Sequence, residues 1–318
     1  MKLTDPTGEL VSDVAVIILT YNEERHIERC IRSARQISSA IYVVDSFSKD
    51  RTVELATKMG VTVLQNRFVN YAKQFQWALD NVPAEAAWQM RLDADEVIEP
   101  DLAAEINAKL PMLGADVTGI SLKRKHIFLG RWIRHGGRYP LVLLRLWRRG
   151  RGRIEDRWMD EHMVVDGGTT VVFDGGFADH NLNDLTFFTD KHNKYATREA
   201  IDVLIRKYDL LSRDDALLQH SSTRQAQVKR FVKERVYNQL PYQLSTLGYF
   251  LYRYFIQLGF LDGGPGLAYH FLQGYWYRFL VGAKIEELEN EIVALDGKAA
   301  KLARISALTG HNLVPAEA

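Results

Sequence analysis

The 318-residue chain has a single cysteine, Cys30, so no intrachain disulfide can brace it, and a reducing compartment suits it best. Long apolar runs are missing too. No stretch reaches the roughly 18 uninterrupted apolar residues of a simple membrane span. An excess of one charge is also absent: 41 Lys+Arg against 40 Asp+Glu leave a formal charge of +1, which argues against a dedicated nucleic-acid binder. Residues Met1 to Asp13 lack the basic start and apolar core of a signal peptide, so a cytoplasmic location is expected. What remains is 47% hydrophobic and 25% charged, enough for one large core with appendages.

The stretch Met90-Arg91-Leu92-Asp93-Ala94-Asp95-Glu96-Val97 organises the rest, because an apolar run stops there in three carboxylates. In extended chain, residues i and i+2 share a face, so Asp93 and Asp95 are expected side by side. Paired oxygen ligands suit Mn²⁺ or Mg²⁺, hard cations that keep positions for water and phosphate. A strand ending in a solvated acidic turn is the plain alternative.

Upstream, Val14 to Leu19 is a β-branched apolar run typical of a strand buried on both faces. Thr20-Tyr21-Asn22-Glu23-Glu24 breaks it, with Asn22 read as a helix cap before the apolar face of Ile27, Cys30, Ile31 and Ala34. Strands over 40–44, 61–64 and 87–92 alternate with helices from Val53 to Met59 and from Lys73 to Leu79. That order predicts an α/β fold with a doubly wound, mostly parallel sheet. Ligands of such sheets bind at C-terminal strand ends, where Thr20, Asp45 and Asp93 all fall.

The segments V-I-I-L-T-Y-N-E-E-R-H-I, V-V-D-S-F-S-K-D-R-T, Y-A-K-Q-F-Q-W-A-L and L-D-A-D-E, in this order, resemble family 2 inverting glycosyltransferases of the GT-A fold over residues 14 to about 200. Arg145-Leu146-Trp147, Asp160-Glu161-His162 and Asp179-His180 extend the likeness to the branch with lipopolysaccharide core β-glucosyltransferases. Phe47 departs from it, standing where a glycine is common. The resemblance implies that Thr20, Asn22 and Glu23 line base and ribose, that Asp45 accepts from uracil or ribose, and that Lys73 approaches base or phosphate. It implies a UDP-sugar donor, a metal on Asp95 with Asp93 touching ribose or metal, and Glu161 as general base with Asp160 its rival. His162 and His180 are candidate metal or phosphate ligands.

Nine arginines crowd residues 131–157, interleaved with Trp132, Tyr139, Trp147 and Trp158. Phosphate recognition is preferred to a nucleic-acid surface, with Arg145 and Arg153 the chosen ligands of donor or acceptor phosphate. Ile154 stands where the Q-x-x-R-W motif of processive synthases needs glutamine, which points to single transfer.

The expected division is a catalytic domain over 1–207, a helical connection over 208–243, an aromatic helical hairpin over 244–281, and a coiled-coil-like helix and tail over 282–318. Tyr and Trp beside arginine in the hairpin suit a bilayer headgroup boundary or, equally, an oligomer contact. The G-F-L-D-G stretch at 259–263 resembles the same branch, whose acceptors are lipid-linked or core oligosaccharides, and favours a peripheral place on the inner face of the cytoplasmic membrane. Ile285, Leu288, Ile292, Leu295, Ala299 and Leu302 form a heptad seam that suggests a homodimer or higher oligomer. Two rival classes stay open: a sugar-phosphate nucleotidyltransferase, which would want a glycine-rich loop after Leu19, and a non-catalytic membrane scaffold.

Overall fold

The computed structural model describes residues 3–4, 10–83, 85–155, 162–211 and 240–313. It divides into two compact units, Met1–Leu182 and Asn183–Ala318. The boundary expected at 207 therefore moves to 182, since the helix Leu185–Lys207 packs within the second unit, where Tyr277 Oη donates to Glu199 Oε2 at 2.6 Å.

The first unit alternates β1 (Val14–Thr20), α1 (Ile27–Ala34), β2 (Ala40–Asp45), α2 (Thr52–Lys58), β3 (Thr62–Gln65), α3 (Tyr71–Asn81) and β4 (Trp88–Asp93). After the acidic turn come β5 (Glu96–Ile98), α4 (Pro100–Lys109), β6 (Val117–Phe128), β7 (Arg131–Trp132) and β8 (Leu141–Arg148). A small ladder of β9 (Gly152–Ile154) with β10 (Met163–Val165) precedes β11 (Thr169–Asp179). The nine-stranded sheet runs β3-β2-β1-β4-β8-β6-β11-β5, with β7 beside β6. Its first four strands are parallel, and β8 enters antiparallel between β4 and β6.

The continuous apolar run of β1 has the physical basis expected of it. Val14 through Ile18 are fully buried, and alternation sends Val14, Val16 and Ile18 to the layer of α1 and α4, while Ala15 and Ile17 meet Phe75 and Ala78 of α3. Helices thus cover both faces of the sheet. Asn22 does not cap α1: that helix starts after His26 without a side-chain cap, and Asn22 instead takes a left-handed backbone at φ 56°.

In the second unit, α5 (Leu185–Lys207) is capped by Asp184, whose Oδ1 accepts from Phe187 N at 2.8 Å. Then follow α6 (Tyr242–Leu251), a π-helical turn over Tyr252–Ile256, a 3₁₀ turn over Gly259–Asp262, α7 (Gly263–Tyr269), a second π turn over His270–Trp276, α8 (Tyr277–Ile292) and α9 (Lys298–Thr309). The proposed coiled-coil seam is not one helix. Gly297, at φ 81°, lets the chain fold back, so Leu288, Ile292 and Leu302 bury against Ala200, Ile201 and Leu204 of α5. Half of the heptad positions, Leu288, Ile292 and Leu302, are thus spent inside the unit. The connection expected over 208–243 lies mostly outside the described residues.

Glycine at 175 is demanded by close packing. A Cβ there would stand 2.5 Å from Leu102 Cα, where Gly175 N donates to Glu105 Oε2 at 2.6 Å. Gly175→Ala is expected to cost about 1–3 kcal/mol through overpacking. Equilibrium urea denaturation checks it, and an unchanged midpoint would show that α4 yields freely.

Candidate functional site

Register brings the predicted residues to one edge. Thr20 pairs with Asp45 across β1 and β2, and Leu19 pairs with Asp93 across β1 and β4. Three parallel strands therefore end at the same level, and their polar residues share one rim.

At the first part of that rim the polar groups are spent on one another. Asp45 is fully buried, and its carboxylate accepts from Thr20 Oγ1 at 3.0 Å, Ser48 N at 2.8 Å, Gln65 Nε2 at 3.3 Å and Ser48 Oγ. Asn22 N donates to Ser48 Oγ at 2.8 Å while Asn22 Oδ1 accepts from Lys49 N at 2.8 Å. Glu23 N donates to Thr52 Oγ1 at 2.7 Å and Glu24 N to Asp50 Oδ2 at 3.1 Å, lacing the loop after β1 to the loop after β2. Phe47 stands in this second loop at φ 60°, the left-handed region that explains why glycine is common there, and its ring is exposed. The Glu23 carboxylate meets His26 Nδ1 at 2.6 Å, and His26 Nε2 accepts from Leu182 N at 2.9 Å. Because Nε2 must accept, the ring proton sits on Nδ1 and donates to Glu23.

Lys73 is exposed in the first turn of α3, and its backbone N–H donates to the capping Asn70 Oδ1 at 2.7 Å. The next residue, Gln74, is buried and reaches Ser46 Oγ at 3.1 Å. Sequence reasoning passed over Gln74, although its place one residue after Lys73 in a capped helix was a usable signal.

The acidic turn differs from the expected pair. The strand ends at Asp93, and Ala94 and Asp95 form a turn, so the extended i, i+2 geometry does not hold. Asp93 is enclosed by two cations and a phenol: Arg91 Nε lies 3.3 Å from Oδ1, Arg145 Nη2 3.2 Å from Oδ2, and Tyr71 Oη donates to Oδ1 at 2.5 Å. Burial works against its charge, but Arg91 and Arg145 outweigh burial and hold the Asp93 carboxyl below the usual carboxylate range. Glu96, unassigned from sequence, is buried, accepts from Asp93 N at 2.9 Å, and is paired with Arg145 Nη2. Burial pushes its carboxyl up to about 8 despite Arg145, with Asp93 adding to the rise. Arg145 is thus not placed as a phosphate ligand. It is buried, and its Nη2 is spent on two carboxyl groups of its own chain. Cys30 lies beneath this turn, its thiol 3.6 Å from Asp93 O and pushed up by burial, so it is an inert core residue.

Asp95 keeps a different environment. Its half-buried carboxylate accepts from Asn181 Nδ2 at 3.0 Å, and its carbonyl accepts from His180 N at 3.0 Å and Arg29 Nη2 at 3.2 Å. Arg29 also donates to His180 O, tying the acidic turn to the end of β11. His180 has its pKa lowered, chiefly by burial and then by Arg29, which favours the neutral imidazole that ligates metals. Among the described residues, no group of three His, Cys, Asp or Glu side chains is placed to hold a metal. Asp95 and His180 are brought together through the backbone, His180 N donating to Asp95 O at 3.0 Å, and hard cations are also held by one or two protein ligands shared with substrate phosphates. Asn181 and Arg29 were missed because their roles depend on the distant strand β11.

Other expected residues disperse. Arg153, on β9, pairs with the exposed Asp166 just after β10, 3.3 Å away. Arg148 is structural, its Nε on Val117 O at 2.8 Å and its guanidinium over Trp88. His162 is exposed beside Glu155 at 3.7 Å. Asp160 and Glu161 lie outside the described residues, as do Arg157 and Trp158.

The family model of glycosyl transferase family 2 matches residues 15–180, more than half the chain. The chain belongs to that family. An uncharacterized glycosyltransferase of Rickettsia bellii is 34% identical over 97 residues, covering 30% of this chain and 32% of that protein. The chain therefore matches about a third of that relative's length. Among solved structures, the mannosyltransferase PcManGT of Pyrobaculum calidifontis, in complex with GDP-Man and Mn²⁺, is 17% identical with a TM-score of 0.43, covering 98% of this chain and 83% of that one. S. aureus TarS in complex with UDP-GlcNAc is 15% identical with a TM-score of 0.40, covering 87% and 91%. Family 2 membership removes the nucleotidyltransferase alternative but leaves donor and acceptor open.

The Asp93, Arg145 and Glu96 cluster sets a stability test. Arg145→Ala strands the buried Asp93 carboxylate, removes the partner of the Glu96 carboxyl, and is expected to cost about 3–5 kcal/mol. Arg145→Lys keeps the charge, loses the fork, and should fall between. Urea midpoints equal to wild type in both variants would mean that the cluster does not hold the turn.

Proposed function

We propose that this family 2 glycosyltransferase moves one sugar, glucose from UDP-glucose, with inversion onto a hydroxyl of a lipid-linked or core oligosaccharide acceptor. Transfer would take place at the inner face of the cytoplasmic membrane, without polymerisation. The observation that carries the donor half of this reading is the rim itself, where register brings Thr20, Asp45 and the acidic turn to adjacent ends of parallel strands inside the family-matched region. Thr20, Asn22 and Asp45 shape a preorganised nucleoside cradle, with Glu23 and Lys73 at its margin.

Mn²⁺ or Mg²⁺, held by Asp95 with His180 as the second ligand, would supply positive charge to the diphosphate as it departs. At about 4 Å and an effective dielectric near 20, each unit-charge pair is on the order of 4 kcal/mol before desolvation. That favours a role for the ion, because Asp95 alone would repel the phosphates. Asp93, neutralised by Arg91 and Arg145, is reassigned from metal ligand to the post that holds the turn, leaving ribose as its substrate contact. On the acceptor side Glu161 removes the hydroxyl proton as the sugar is attacked, with Asp160 the alternative base. Ile154 in place of glutamine supports single transfer.

Two measurements test this. Calorimetry should show UDP binding strengthened by Mn²⁺ in the wild type and insensitive to Mn²⁺ in Asp95→Ala; metal-independent binding in both would refute the metal site. Glu161→Gln should bind UDP as wild type and lose about 10²–10⁴-fold in kcat, whereas near-normal turnover would pass the role to Asp160.

A further inference from the structure

The second unit contains a hairpin whose burial is inverted. On α6, Leu244, Leu247 and Leu251 are exposed, and Leu244 keeps 60% of its surface. Around the tip, Tyr252, Phe255, Ile256, Leu258, Phe260 and Leu261 are exposed, with Ile256 at 71%, and Leu267 and Phe271 continue along the returning arm. The charged and titratable groups lie inside: Arg253 at 5%, Asp262 at 2% and His270 at 0% exposure. From Leu244 to Phe271 no exposed side chain is charged. Water-facing surfaces show the reverse, since Asp and Arg are rarely buried and contiguous exposed apolar patches are rare.

Glycines at 259 and 266 let the interior pack closely around Arg253, Asp262, Tyr269 and His270. A Cβ on Gly259 would stand 2.6 Å from His270 Cδ2, so the tip meets the returning arm over glycine and a polar ring, and one on Gly266 would stand 2.5 Å from Asp262 Cβ in the turn before it. Small residues between helices, polar groups facing inward and large apolar groups facing outward are the arrangement of helix pairs in lipid. Neither arm is a span. Tyr242–Ile256 is about 22 Å long at 1.5 Å per residue, against about 30 Å of hydrocarbon, and among the described residues no helix is long and apolar enough to cross a membrane.

We propose that residues 244–271 form a monotopic membrane anchor whose tip, Phe255 to Leu261, enters the hydrocarbon of one leaflet. This deepens the membrane part of the proposed function and rests on it only for location. A lipid occupant is chosen over a second copy because the uncharged surface continues over both arms and the tip, with the charges drawn to the inside. A protein partner would cover one side and normally offers a polar rim. Hydrocarbon asks for neither charge nor rim. The exposed Arg278, stacked over Tyr249 at 4.3 Å, follows on α8, where a cation suits the headgroup level.

The test uses the full chain with phosphatidylcholine vesicles, with and without phosphatidylglycerol. Wild type should float with both and stay bound in high salt, since insertion is apolar. The triple variant Phe255→Ser, Ile256→Ser and Phe260→Ser alters exposed residues only, so it should keep its circular dichroism spectrum and its UDP binding while losing flotation. Phe255→Trp should be quenched by brominated lipid. Failure of folded wild type to float, equal flotation of the triple variant, or a concentration-dependent dimer that the triple variant abolishes would each overturn the anchor. None of those outcomes touches the UDP calorimetry, so the two readings fail separately.

Discussion

A single buried cation, Arg145, holds the candidate site in shape. The sheet's rim collects three carboxylates within four residues, and without compensation they would repel one another and any diphosphate brought to them. Arg145, arriving on the antiparallel strand β8, lies between Asp93 and Glu96, while Arg91 and Tyr71 close the other side of Asp93. The result is a division of charge. Two acids are absorbed into the framework, and Asp95 is left on the edge with Asn181 and His180.

That division also explains why Asp179 belongs to the framework. It pairs in register with Glu96 across β11 and β5, and burial of its carboxyl is outweighed by His126 at 3.1 Å and Arg124 at 3.5 Å, which keep it ionised. The neighbouring residue His180 is thereby fixed by a strand, not a loop. The nucleoside side is stiffened differently, by backbone N–H groups that donate to Asp45, Asp50 and Asn22 across two loops. Sites held by such supporting hydrogen bonds need little rearrangement when a substrate arrives. A left-handed Phe47 within this lacing carries a backbone cost of about 1–2 kcal/mol that the surrounding bonds must offset.

The second unit follows another logic, with its ordinary core at one end and inverted burial at the other. Leu288, Ile292, Leu302 and Ile305 make a conventional helical core with α5. The hairpin over 244–271 places its polar residues within and its leucines and phenylalanines without. Composition alone showed the aromatic richness but was equally compatible with a core, an oligomer contact or a bilayer. The burial of Arg253, Asp262 and His270 is the observation on which the proposed anchor rests.

The strands β1, β2 and β4, their order and the polar residues that end them were legible because a continuous β-branched run buried on both faces has few other uses. Family membership was legible because its motifs are local and ordered. Long-range choices were not. The extended-chain rule put Asp93 and Asp95 together, yet the partner that claims Asp93 lies 52 residues away, and the Glu96 partner 49 residues away, on a strand whose insertion beside β4 no local pattern announces. Heptad spacing likewise could not show that Gly297 turns the seam back on α5. By itself the sequence determined which residues reach the rim, since periodicity and chain reversal are local properties. Tertiary structure alone decided which of them are neutralised and which stay at the edge, since charge pairing depends on the side chains that distant strands bring within a few ångströms.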